Sequence, residues 1–132
     1  MGILSNSVHT GLFVEDVAKM VRFYRDILGF ETDWDGGPNV SFKVNDGGLF
    51  MFDRKQFAEA MNQPYEPPKS FNLTMEIGIG VPTKADVDQE YARLMALGVH
   101  SAQEPKTQPW GQRNFWITDP EGNYIEVGSF QD

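Results

Sequence analysis

Apolar and polar residues alternate from Val8 to Val14 and again from Leu73 to Val81, the period-two pattern of strands with one buried face. Behind the first alternation, Val17, Met20, Val21, Tyr24 and Leu28 recur at helical spacing and the stripe stops at Gly29. Behind the second, Val87, Tyr91, Leu94 and Met95 form a similar stripe that stops at Gly98. Asp16 is predicted as the N-cap of the first helix and Thr83-Lys84-Ala85-Asp86 as a capping box for the second. The two glycines suit the left-handed position past each helix end. Short strand-like runs follow each helix and close at Leu49–Phe52 and Tyr124–Val127. The chain therefore repeats itself, Val8–Phe52 and then Leu73–Val127, and a copy with one apolar sheet face needs its partner to bury it.

The alternation assigns faces. In the first strand Val8, Thr10, Leu12 and Val14 are expected toward the helix, with His9, Gly11 and Phe13 opposite. In the second copy Leu73, Met75, Ile77, Ile79 and Val81 take the helix side, leaving Asn72, Thr74, Glu76, Gly78 and Gly80 opposite. Ile125 and Val127 want the helix face, which turns Glu126 and Tyr124 away from it; Trp116 should share a face with Asn114 and Thr118, opposite Phe115 and Ile117. Between the copies, the prolines around Tyr65 block ladder and helix bonding, so Arg54–Ser70 reads as a connector or flap, with a single helical turn over Phe57–Met61. One domain is expected, with module one about 5–53, connector 54–70 and module two about 71–130.

Composition narrows the function. The 132 residues are enough for one domain with a hydrophobic core, and the net charge of -8 argues against nucleic acid or anionic membranes as partners. The absence of cysteine removes disulfides and thiolate chemistry. With neither a membrane-length apolar run nor a signal-peptide pattern, a cytoplasmic protein is expected.

The stretches His9-Thr10-Gly11-Leu12-Phe13-Val14-Glu15-Asp16-Val17 and Phe23-Tyr24-Arg25-Asp26-Ile27-Leu28-Gly29-Phe30 resemble the opening of the vicinal oxygen chelate superfamily, which includes glyoxalase I, bleomycin-resistance proteins and extradiol dioxygenases. Trp110-Gly111 through Phe115 to Asp119-Pro120-Glu121-Gly122-Asn123-Tyr124-Ile125-Glu126-Val127 is similar to its closing signature. The resemblance implies an α+β fold: tandem βαβββ modules forming a cupped, half-open barrel sheet with helices on the outer face, often as a homodimer. A ferredoxin-like regulatory domain would need fewer strands per helix than the four turn-bounded runs in each copy.

Metal-dependent members of that superfamily place ligands on the first and last strands of each module. The resemblance carries these positions to His9, Glu76 and Glu126, with Met51 where Glu126 has its counterpart in the first copy. A register slip of two residues would substitute Thr74 for Glu76, and one of four, Asn72. Such a set would hold one divalent ion (Zn, Ni, Mn or Fe) and leave positions open for a vicinally oxygenated substrate, as a lyase, isomerase or dioxygenase requires. Met51 is a poor ligand and counts against a metal.

The metal-free reading makes Glu76 and Glu126 catalytic carboxylates, one serving as general acid, or a pair that holds a cation. Phe13, Met51, Trp110, Arg113, Trp116 and Tyr124 complete an expected substrate pocket, where aromatic walls and acids suit a planar or cationic ligand. Trp34 also falls in a loop near the expected rim. Each residue has a plainer role as well: His9 as a hydrogen-bonded core histidine, Glu76 and Arg113 as solvated strand residues, the aromatics as core filling. His100 matches no ligand position. Two functions stay open, a glyoxalase-like metalloenzyme and a metal-free protein that sequesters a small aromatic or cationic compound in the manner of resistance proteins.

Overall fold

The computed structural model describes residues 8–132, so the expected start of module one near Ser5 lies outside the described residues. The chain divides after Pro68 into two compact units. In the first, β1 (Thr10–Val14), α1 (Val17–Val21), β2 (Glu31–Thr32), β3 (Asn39–Lys43) and β4 (Leu49–Asp53) make a four-stranded sheet of order β1-β4-β3-β2. β1 runs parallel to β4, and β4, β3 and β2 are antiparallel neighbours. The second unit repeats this plan with β5 (Asn72–Gly80), α3 (Lys84–Ala96), β6 (His100–Thr107), β7 (Arg113–Thr118) and β8 (Asn123–Ser129), in the order β5-β8-β7-β6. The architecture is the expected α+β pair of βαβββ modules. No helix among the described residues is long and apolar enough to cross a membrane.

The helix ends follow the sequence signals. The Asp16 carboxylate accepts from the Lys19 N–H, and Thr83 and Asp86 close a reciprocal capping box. Beyond α3, the Val99 N–H reaches the Leu94 carbonyl and the Gly98 N–H the Met95 carbonyl, a Schellman ending that the positive φ of 80° at Gly98 permits. α1 departs from the expected regular helix. From Arg22 to Ile27 it widens into a π-helix, with the Leu28 N–H reaching back five residues to Phe23. Phe23, outside the 3.6-residue stripe, is also buried, beside Tyr24 where that wide turn begins.

Each core lies between a sheet and its helix. Leu12, Val14, Val40, Phe42, Leu49 and Met51 are buried in unit one with Val17, Met20 and Val21 of α1. In unit two, Ile77, Phe115, Ile117, Ile125 and Val127 are buried with Val87 and Leu94 of α3, and Tyr91 meets Phe115 edge-on at 5.1 Å. A fully buried side chain of this kind contributes about 1.5–3 kcal/mol.

Two expectations fail here. Leu73 and Met75 were expected on the helix face but are 75% and 52% exposed. The register passes from Asn72↔Asn123 to Glu76↔Tyr124, so β5 carries three residues with no partner on β8, and the alternation loses phase across that bulge. The connector also starts with more helix than expected. α2 (Arg54–Ala60) is capped by the Asp53 carboxylate, which accepts from the Gln56 N–H at 2.9 Å.

Candidate functional site

The sheet face turned away from each helix carries the candidate chemistry. In unit one β1 and β4 present Gly11, Phe13, Phe50 and Phe52 there, with His9 just ahead of β1. The exposed His9 ring meets Phe50 edge-on at 5.0 Å, and a Cβ at Gly11 would come within 3.2 Å of the Phe52 ring. α2 folds back over this face, with Phe57 stacked on Phe13 at 4.1 Å and near Phe52 at 6.1 Å. Beside that stack is an open recess of about 210 Å³ lined by Phe13, Arg54, Phe57, Met61, Pro64 and Glu66 among others. The Arg54 guanidinium ties the connector down by donating to the carbonyls of Glu66 and Phe13. The Tyr65 hydroxyl donates to the Glu15 carboxylate, which holds that phenol above its ordinary pKa.

Met51 is not on this face. Its register partners are Leu12 and Val40, all three are buried, and Met51 has no exposed surface. The expected repeat alignment is off by one residue at β4. Gly11 pairs with Phe50 in unit one as Gly78 pairs with Glu126 in unit two, so Phe50 stands where Glu126 has its counterpart. The same comparison, two residues earlier on each first strand, matches His9 with Glu76 rather than with Thr74 or Asn72.

In unit two the registers Glu76↔Tyr124, Gly78↔Glu126, Trp116↔Glu126 and Thr118↔Tyr124 gather Glu76, Tyr124, Glu126 and Trp116 on one face around the bare Gly78. The Trp116 indole N–H donates to Glu76 Oε2 at 2.7 Å. Asn114 Nδ2 donates to Glu126 Oε2 at 2.9 Å and to Gln112 Oε1 at 3.1 Å. Gln108 Nε2 donates to Asn114 Oδ1 at 2.9 Å, and the Trp110 indole N–H donates to Gln112 Oε1 at 2.9 Å. Asn114 is fully buried and Gln108 is 8% exposed, whereas Trp110 is largely in solvent.

Arg113 does not join this group. Its strand position shares the face of Phe115 and Ile117, and its guanidinium makes a two-pronged bond to Asp88 of α3 at 2.8 and 2.7 Å. The bond holds the Asp88 carboxyl below its usual pKa, and Arg113 thus braces the helix rather than lining the pocket. Sequence reasoning missed Gln108, Gln112 and Asn114 as site residues. The available signal was a polar Asn114 two positions before Trp116, in a strand otherwise apolar from Phe115 to Ile117.

A divalent ion of the implied kind needs several deprotonated ligands around one point. Among the described residues, no group of three or more His, Cys, Asp or Glu is gathered in that way. His9, just ahead of β1, has the Phe50 ring as its neighbour. In unit two Glu76 Oε2 and Glu126 Oε2 each accept a side-chain N–H, which leaves each carboxylate its Oε1, but no third ligand of that kind stands beside the pair among the described residues. Two carboxylates alone do not fit a metal centre.

The family model described as Glyoxalase/Bleomycin resistance protein/Dioxygenase superfamily matches residues 6–127. The phenazine antibiotic resistance protein EhpR of Enterobacter agglomerans is 29% identical over 119 residues, covering 88% of this chain and 85% of that protein. A crystal structure of a glyoxalase/bleomycin resistance protein/dioxygenase from Nocardioides has the same fold, with a TM-score of 0.84 at 20% identity over 100% of this chain and 87% of that one. A structure named lactoylglutathione lyase, from Agrobacterium tumefaciens, is 29% identical with a TM-score of 0.72, covering 95% of this chain and 93% of that one. The repeated βαβββ plan and a match spanning both copies agree: this chain belongs to the glyoxalase/bleomycin resistance/dioxygenase superfamily.

Proposed function

We propose that this protein binds a planar aromatic small molecule on the open face of its second module without a divalent metal, as a sequestering protein rather than an enzyme. The observation that carries this reading is the Trp116 indole held on the open sheet face beside two carboxylates that no third metal ligand joins among the described residues. The Trp116–Glu76 bond fixes the indole plane, and the Asn114–Glu126 bond fixes the second acid. A pinned indole is a stacking surface, and one that is already rigid loses little entropy when a flat ligand arrives. EhpR, by its name, confers resistance to phenazine antibiotics, which are flat tricyclic aromatics, and this likeness supports the same ligand class here.

A metal-dependent lyase, isomerase or dioxygenase is the reading that the lactoylglutathione lyase likeness favours. It requires His9, Glu76 and Glu126 to share one ion, and no group of three such ligands is gathered among the described residues. We also propose a homodimer, because β5 is an edge strand and exposes Leu73 and Met75.

Tryptophan fluorescence titrated with phenazine tests the binding reading. Saturable quenching that weakens at least tenfold in Trp116→Leu is the expected result. The absence of saturable quenching in the unsubstituted protein, or a titration unaltered by Trp116→Leu, would overturn it.

A further inference from the structure

We propose that Asn114, oriented by Gln108, makes the site prefer a cationic planar ring over a neutral one by pinning Glu126 as a charged hydrogen-bond acceptor. The inference rests on the binding reading above and specifies the charge of its ligand.

Two amides have orientations determined by their neighbours. Gln108 Nε2 donates to Asn114 Oδ1, so the amide oxygen of Asn114 points toward Gln108 and its NH2 toward Gln112 and Glu126. Gln112 Oε1 accepts from both Asn114 and Trp110, which settles the second amide as well. Flipping Asn114 would turn a carbonyl oxygen on Glu126 Oε2 and an NH2 on the NH2 of Gln108. In a fully buried side chain, neither contact can be relieved by water. Asn114 therefore presents only a donor, and a carboxylate is the partner that this donor stabilises best.

The rest of Glu126 is available to a ligand. Its Oε1 sits over Gly78, where even an added Cβ would stay 3.8 Å away, and no donor among the described residues reaches it. No ion pair among the described residues neutralises Glu126 or Glu76. Arg113, the nearest cation along β7, is committed to Asp88, and Lys106, aligned with Asn114 across β6, makes no ion pair among the described residues. A positive ring lying on Trp116 would meet this uncompensated charge and also gain a cation–π contact.

Phenazine and N-methylphenazinium share one ring system and differ by one N-methyl group and its charge, so the ratio of their dissociation constants, and its change when Glu126 loses its charge, reads the preference. General loosening of the fold shifts both constants together and leaves their ratio alone. The unsubstituted protein is expected to bind the cation about tenfold more tightly or better. Glu126→Gln should bring the ratio near one, and Asn114→Leu should lower it several-fold. Gln108→Leu, which leaves Asn114 in place but frees it to turn, should lower it in the same direction and keeps the test alive should Asn114→Leu fail to fold. A ratio near one in the unsubstituted protein, or a ratio unmoved by both relay variants, would overturn the inference while the binding reading stands. If neither ring binds, the binding reading is what fails.

Discussion

Replacing Asn114 with alanine removes a fully buried amide that bonds to Gln108, Gln112 and Glu126, and its consequences can be worked partner by partner. Gln108 is 8% exposed and loses the acceptor for its NH2; an orphaned buried donor costs about 1–3 kcal/mol. Gln112 keeps the Trp110 indole as a donor, so its loss is small. Glu126 is part-exposed and recovers a hydrogen bond from water. With a small void added where the amide was, the expected destabilisation is roughly 2–4 kcal/mol. Gln108→Ala should cost less, about 1–2 kcal/mol, since it orphans a single carbonyl oxygen. The double variant should cost less than the sum by about 1 kcal/mol or more, because either single change already breaks the shared bond. Urea unfolding followed by far-ultraviolet circular dichroism measures all three. A loss below about 0.5 kcal/mol for Asn114→Ala, or strict additivity in the cycle, would refute the claim that the relay is a coupled network.

Further outcomes follow from the same geometry. Met51→Glu places an unpaired carboxylate in the core of unit one and should abolish cooperative folding or destabilise it by more than about 3 kcal/mol, whereas Phe50→Glu, on the open face, should fold; thermal melts of the two distinguish the alignments. Because Arg113 lowers the Asp88 pKa on folding, that pair contributes stability above the unfolded carboxylate value near pH 4 and loses it as the pH falls through the lower folded value. Asp88→Asn should thus weaken the protein by less than about 1 kcal/mol at pH 7, with the difference shrinking as the pH falls below the unfolded carboxylate value. Light scattering after size exclusion should give twice the chain mass, and Leu73→Lys with Met75→Lys should shift it toward the monomer; a monomeric unsubstituted protein would contradict the dimer.

Much of the fold was legible because its signals are local. Asp16, Thr83 with Asp86, Gly29 and Gly98 punctuate the helices through their own backbone chemistry, and the alternation in β7 and β8 sorted Trp116 and Glu126 from Phe115 and Val127. Errors arose where spacing along the chain stops matching spacing in the sheet. The three unpartnered residues of β5 defeat the alternation at Leu73 and Met75, and the one-residue offset at β4 exchanged Met51 for Phe50. Arg113 was misread because a long charged side chain at a strand end has two plausible partners, and only the distance to Asp88 decides. The amide relay was hidden for a related reason. Gln108, Gln112 and Asn114 stand out only when the turn between β6 and β7 brings their side chains together.

The most direct test of metal-free aromatic binding is a calorimetric titration of phenazine into the protein before and after exhaustive chelation, with elemental analysis of both samples. One saturable site with the same affinity in each is expected, with no stoichiometric zinc, nickel, manganese or iron. Binding that disappears on chelation and returns with one of those ions, together with metal retention lost in Glu126→Gln, would contradict it.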